Sequence, residues 1–130
     1  MKSKIQAELT ITCSNRNIDE LSSLTGLMAT GGHHIGDVSV TGIKLDYGEW
    51  QYRTEIVEAY YTSEVASLLL QKLEGKVTDL KDFIQANDCH ASVCIVIHRE
   101  GDPAPALDLD RNFVAFAGQL NAGISFDGIY

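Results

Sequence analysis

The side chains most able to do chemistry are four histidines and three cysteines, and their spacing decides what that chemistry is. His33 and His34 stand in a glycine-bracketed stretch, Gly31 to Gly36, with Asp37 beside them. Neighbouring histidines reach one ion only where the backbone curls, and no second ligand pair has the helical or turn spacing of zinc sites. The expectation is a solvated loop with no metal. His90 and His98 flank an apolar stretch containing Cys94, but on a strand Cys94 and His98 stand about 13 Å apart, too far to share a ligand. Cys13, Cys89 and Cys94 lack the close pairings of zinc or thiol redox sites, so they read as small core residues in a reducing cytoplasm.

Nucleophilic catalysis needs an activated serine or cysteine beside a base, and the glycine-flanked elbow that exposes such a serine is absent. Thr30, Gly31, Gly32 and Gly36 precede no Lys-Ser pair and follow a helix pattern, so neither a phosphate loop nor a dinucleotide fingerprint is present. Asp108 and Asp110 share one side of an extended segment, with no aromatic platform for a sugar beside them. The chain is expected to be no enzyme and to need no cofactor.

The acidic residues say more as a field. Eighteen acidic against ten basic residues give a net charge of −8, which disfavours nucleic acid and anionic membranes and favours a basic protein. Glu100, Asp102, Asp108 and Asp110 form one cluster, while Asp46, Glu49, Glu55 and Glu58 line a segment rich in Tyr47, Trp50, Tyr52, Tyr60 and Tyr61. Aromatic anchors supply affinity and carboxylates supply rate and specificity. The nine candidate contact residues are therefore Asp46, Tyr47, Glu49, Glu55, Glu58, Glu100, Asp102, Asp108 and Asp110. The alternative is a small-ligand or metal-binding domain using the loop from Gly31 to Asp37.

These residues must be positioned by one domain, residues 1–130, since a 14.2 kDa chain buries about two-thirds of its surface on folding. No apolar run approaches the roughly 18 residues of a membrane helix, and no signal-peptide stretch follows Met1 to Lys4, so a soluble, cytoplasmic chain is expected. Residues 4–13 alternate apolar and polar, predicting a strand with one wet face. Asn15 or Asn17 can cap a helix through Ile18, Leu21, Leu24 and Met28 that Gly31 and Gly32 stop. Val38 to Tyr47, with a bulge at Gly42, predicts a strand forming a hairpin with Trp50 to Tyr61, where Trp50, Tyr52, Thr54 and Ile56 share a face. Ser63 caps a helical stretch that Gly75 kinks or splits, and Ala91 to Ile97 predicts a central strand. After a loop at 99–105 and a short strand at 106–109, Asp110 caps a helix with Phe113, Phe116, Ala117 and Leu120 inward, and a strand from Ile124 closes the chain. The order predicts an α+β fold: an antiparallel or mixed sheet with helices on one face, a ferredoxin-like β-α-β-β-α-β core plus a C-terminal α-β. A monomer or weak homodimer is expected, with Lys2 and Lys4 discouraging pairing at an N-terminal edge strand.

The C-terminal text DRNFVAFAGQLNAGISFDGIY, residues 110–130, resembles the ending of the bacterial family called domain of unknown function 4279, in which a helix close to fLaeLgAsidfDiY finishes a chain of about this length. An N-terminal strand, a helix ending near Leu27, the lone Trp50, a helix starting at Ser63 and a Val/Ile-rich strand at 93–97 follow in the same order. Gly128 stands where the family has a bulkier residue, and Ala29 and Thr30 replace its Pro-Thr. Some small acidic chains that look like this family are similar to immunity proteins, which neutralise a cognate bacterial toxin domain. The resemblance implies such a role here, against a basic toxin such as a nuclease.

Overall fold

The alternation of residues 4–13 becomes β1, Ser3–Cys13, whose apolar side chains Ile5, Ala7, Leu9, Ile11 and Cys13 are fully buried. The computed structural model describes residues 2–98 and 105–129. After β1 come α1 (Leu21–Thr25), β2 (Gly31–His33), β3 (Gly48–Arg53), β4 (Val57–Ala59), α2 (Thr62–Lys72), α3 (Val77–Ala86), β5 (Cys89–His98), α4 (Arg111–Gln119) and β6 (Gly123–Ile129). The sheet order is β2-β3-β1-β5-β6, with β4 also paired to β1. Neighbours are antiparallel except β5 and β6, which run parallel.

This is the expected α+β architecture. Within β2-β3-β1-β5, β3 lies between β1 and β2, and β1 lies between β3 and β5, which is the split β-α-β interleaving of a ferredoxin-like core. The crossover through α4 adds β6 beside β5. The inward face of β1 meets Leu21 of α1, Val65 and Leu69 of α2, Leu80 and Ile84 of α3, and Phe113 and Phe116 of α4 in one apolar core. The opposite face is mainly polar, with Val96 across from Gln6 its buried apolar exception. Glu8, Thr10 and Thr12 stand across from Arg53, Gln51 and Glu49 on β3, and Cys94, Ser92 and His90 on β5.

Local differences from the sequence reading have physical causes. The first helix spans only Leu21–Thr25, because Gly26 adopts a left-handed φ of 73° and its N–H closes onto Ser22 O. Met28 is consequently exposed, and Gly31 and Gly32 lie in β2. Asn17 is no cap for this helix: its Oδ1 accepts from Ile35 N at 2.8 Å. The expected strand from Val38 to Tyr47 is instead a projecting turn outside the sheet, and its supposed partner pairs with β1. That partner is split into β3 and β4 by a one-residue change of register, from Glu8↔Arg53 to Ile5↔Val57. At the bulge Thr54 Oγ1 accepts from Ala7 N at 2.9 Å. Past it the inward phase moves from Trp50 to Ala59, leaving Ile56 exposed. The long helical stretch is two helices, with Gly75 at a left-handed φ of 77° between them. The strand expected at 106–109 is a single bridge between Tyr61 and Ala106. Lys2 and Lys4 guard no edge, because β1 runs through the middle of the sheet.

Candidate partner-binding surface

Between β2 and β3 the chain leaves the sheet and returns as a short two-stranded arm. Gly36 N donates to Leu45 O and Leu45 N to Asp37 O, each at 2.7 Å, and Val38 bridges Lys44. Ser39 N reaches Ile43 O, Gly42 N reaches Ser39 O, and Gly42 takes a left-handed φ of 83° to close the turn. The alternation that reads as a strand is thus paired only with itself. Its apolar side chains face solvent: Val38 is 66% exposed, Val40 107% and Ile43 64%. By this register Val38 and Ile43 lie on opposite faces of the arm, with Val40 in the turn between them, so both faces carry an exposed apolar group. A single exposed valine needs no explanation, whereas three on one projection make a candidate interaction surface.

Both ends of the arm are fixed. Gly32 enters it with a φ of 120°, and a Cβ there would lie 2.3 Å from Glu49 O, so only glycine allows β2 so near β3. Gly48 leaves it against Arg16 O, where a Cβ would meet the same 2.3 Å obstacle. At the root His34 Nε2 lies 2.8 Å from both oxygens of Asp19, and His34 N donates to Asp37 Oδ2 at 2.8 Å. The Asp19 hydrogen bond first, and its negative charge second, raise the His34 pKa above the ordinary histidine value. Asp46 is exposed at the other side of the root.

Beneath the root a cavity of about 230 Å³ is lined by His33, Glu49, Trp50 and Asp19 among others. His33 stacks edge-on against Tyr47 with centroids 4.6 Å apart, and its Nδ1 lies 3.8 Å from Glu49 Oε2. His33 Nε2 is buried and finds no hydrogen-bond partner among the described residues. Among the described residues no three or more His, Cys, Asp or Glu side chains are grouped to hold a metal ion.

The residues singled out from the sequence fall into two groups. Asp46, Tyr47 and Glu49 gather at the arm root, while Glu55 and Glu58 are exposed at the far end of β1. Glu49 faces Thr12 and Glu58 faces Lys4, a separation of roughly 27 Å along the strand. Asp108 and Asp110 lie at the same far end, with their carboxylates turned to helix N-termini. Asp108 Oδ1 accepts from Ser63 N at 3.1 Å and Oδ2 from Ser63 Oγ at 2.8 Å, while Asp110 Oδ1 accepts from Phe113 N at 2.9 Å. Ser63, expected to cap α2, is instead capped by Asp108. Glu100 and Asp102 lie outside the described residues. Trp50 is buried with its Nε1 donating to Ser22 Oγ, so it belongs to the core and not to the contact set. Tyr60 and Tyr61 are half exposed at the far end. Sequence reasoning missed Val38, Val40 and Ile43 as surface groups; the turn-forming Thr41-Gly42 pair inside the alternation was the signal available.

No curated protein and no solved structure matches the chain. The family model described as "Domain of unknown function (DUF4279)" matches residues 3–130, so a fold built from β1 through β6 is covered almost entire. By that match the chain belongs to the DUF4279 family.

Proposed function

We propose that this chain is an immunity protein that binds a cognate, basic bacterial toxin domain and neutralises it, using the arm and its acidic root as the contact. The observation behind this reading is the arm itself: three exposed apolar side chains on a rigidly anchored projection, flanked by Asp19, Asp37 and Asp46. A nuclease presents Lys and Arg to phosphate, and an apolar tip between carboxylates can seat in such a cleft while its acids meet the basic rim. Affinity then comes from Val38, Val40 and Ile43, and on-rate from the carboxylates. The net charge of −8 and the family resemblance support the same reading. The protein acts as a monomer or weak homodimer in the cytoplasm, without nucleic acid, membrane or cofactor. The test is growth rescue: the polypeptide encoded directly beside this chain is expressed with and without it. Rescue by the wild type and failure of a Val38→Ser/Val40→Ser/Ile43→Ser variant support the proposal; killing that proceeds equally fast with the wild-type chain present refutes it.

The orphaned Nε2 of His33 favours a second reading, a small ligand or metal ion held in the cavity beneath the root. Calorimetric titration with zinc and with copper, comparing wild type with His33→Ala/His34→Ala, separates the two: heat above the buffer blank only in the wild type supports it, and none ends it.

A further inference from the structure

The two cysteines at the ends of β1 and β5, far apart in sequence, are direct cross-strand partners: Cys13 pairs with Cys89 in the antiparallel register. Thr54 N donates to Ala7 O, so odd-numbered residues of β1 turn their backbone groups toward β3 and even-numbered ones toward β5. Cys13 is odd, so it faces Cys89 as a non-hydrogen-bonded pair, the closer kind, with Cα atoms about 4.5 Å apart. That spacing lies within the range of about 4.4 to 6.8 Å that a disulfide spans. Both side chains are buried on the helix-covered face, and both thiols point at one acceptor, Asn87 O, at 3.3 Å from Cys13 Sγ and 3.8 Å from Cys89 Sγ. A cavity of about 250 Å³ opens on Cys89 between Lys81, Asp88 and His90.

We propose that Cys13 and Cys89 form an oxidation site, converted to an intramolecular disulfide by a low-molecular-weight disulfide that enters through this cavity. The thiolate of Cys89 attacks one sulfur of the oxidant and expels the first thiol, leaving a mixed disulfide. The Cys13 thiolate then attacks the Cys89 sulfur and expels the second thiol. The hydrogens of both protein thiols end on the two released thiols, and the oxidant is reduced by two electrons. Burial, followed by the hydrogen bond with Cys13, pushes the Cys89 thiol up to about 12, so the first step is slow. The second joins neighbouring atoms and is fast, so the mixed disulfide does not accumulate. Cys94 sits on the opposite, polar face of β5 beside Glu8 and has no such partner among the described residues.

The folded wild-type chain is incubated with excess oxidised glutathione, then digested without reduction and mapped by mass spectrometry. The expected result is a Cys13–Cys89 crosslinked peptide lighter by two hydrogens, no glutathione on either residue, and a raised thermal midpoint. A Cys94→Ser variant gives the same crosslink, and a Cys13→Ser variant keeps a glutathione adduct on Cys89. Stable adducts on Cys13 or Cys89 of the wild type, crosslinks between chains through them, both thiols free after prolonged incubation, or a lowered midpoint on crosslinking each overturn the proposal.

Discussion

His34 Nε2 lies 2.8 Å from both carboxylate oxygens of Asp19, joining the arm root to the loop before α1. The pairing raises the His34 pKa, through the Asp19 hydrogen bond, then its charge, with a smaller contribution from Asp37. A raised folded-state pKa means the stabilisation is fully present below the unfolded value of 6.5 and is lost as pH rises through the folded value. The amides of Ile35 and Gly36 are therefore expected to gain exchange protection on lowering the pH through that window, after correction for intrinsic exchange. His34→Ala removes the pH dependence. Equal dependence in both proteins sinks this account of the root.

Asp108 and Asp110 act first on stability. Each satisfies the N-terminus of a helix, and Thr62 Oγ1 also donates to Asp108 O at 2.6 Å and accepts from Asp108 N at 2.9 Å. Replacing either carboxylate by alanine is expected to cost about 1 kcal/mol, read as a lower urea midpoint with an unchanged slope. A midpoint equal to wild type would return these carboxylates to a purely surface role.

Gly32→Ala and Gly26→Ala separate steric from conformational cost. Both glycines have positive φ, but a Cβ at Gly26 meets nothing within 4 Å, whereas one at Gly32 lies 2.3 Å from Glu49 O. Gly26→Ala is expected to cost about 1 kcal/mol and Gly32→Ala at least about 2 kcal/mol, with loss of β2 pairing. Urea unfolding of the two variants checks the order, and equal costs contradict the close β2–β3 approach.

Elements that bury a face were legible in the sequence. The unbroken alternation of β1 and the inward set Phe113, Phe116 and Ala117 of α4, closed by its C-cap Leu120, carry the period of their structure, the run of β5 is continuously apolar as a central strand is, and these side chains are buried. The arm is not legible for a related reason: Val38, Val40, Ile43 and Leu45 alternate, and alternation reports extended backbone without saying whether another strand or solvent lies beside it. The helical spacing of Leu24 and Met28 outlasts the helix itself, because Gly26 has already turned the chain. At the candidate surface, Asp46, Tyr47 and Glu49 were legible from charge and aromatic type. Their distance from Glu55 and Glu58, and the meeting of Cys13 with Cys89, depend on register, which no local pattern contains.

Electrostatic steering is expected from the root alone. Asp37→Asn/Asp46→Asn should slow association with the proposed toxin domain and flatten its salt dependence, while Glu55→Gln/Glu58→Gln, roughly 27 Å away along β1 and beyond the Debye length of about 8 Å, leaves both close to wild type. Stopped-flow association at several salt concentrations measures this, and the reverse ranking would move the interface to the far end.

The arm tip provides the most direct test. Val38, Val40 and Ile43 are already exposed, so Val38→Ser/Val40→Ser/Ile43→Ser is expected to leave the thermal midpoint unchanged. Their burial against the proposed partner contributes about 1.5 kcal/mol each or more, so the dissociation constant for the proposed toxin domain, measured by calorimetry, should rise at least about a thousandfold. An affinity equal to wild type in a normally folded variant would contradict the claim that the arm is the contact.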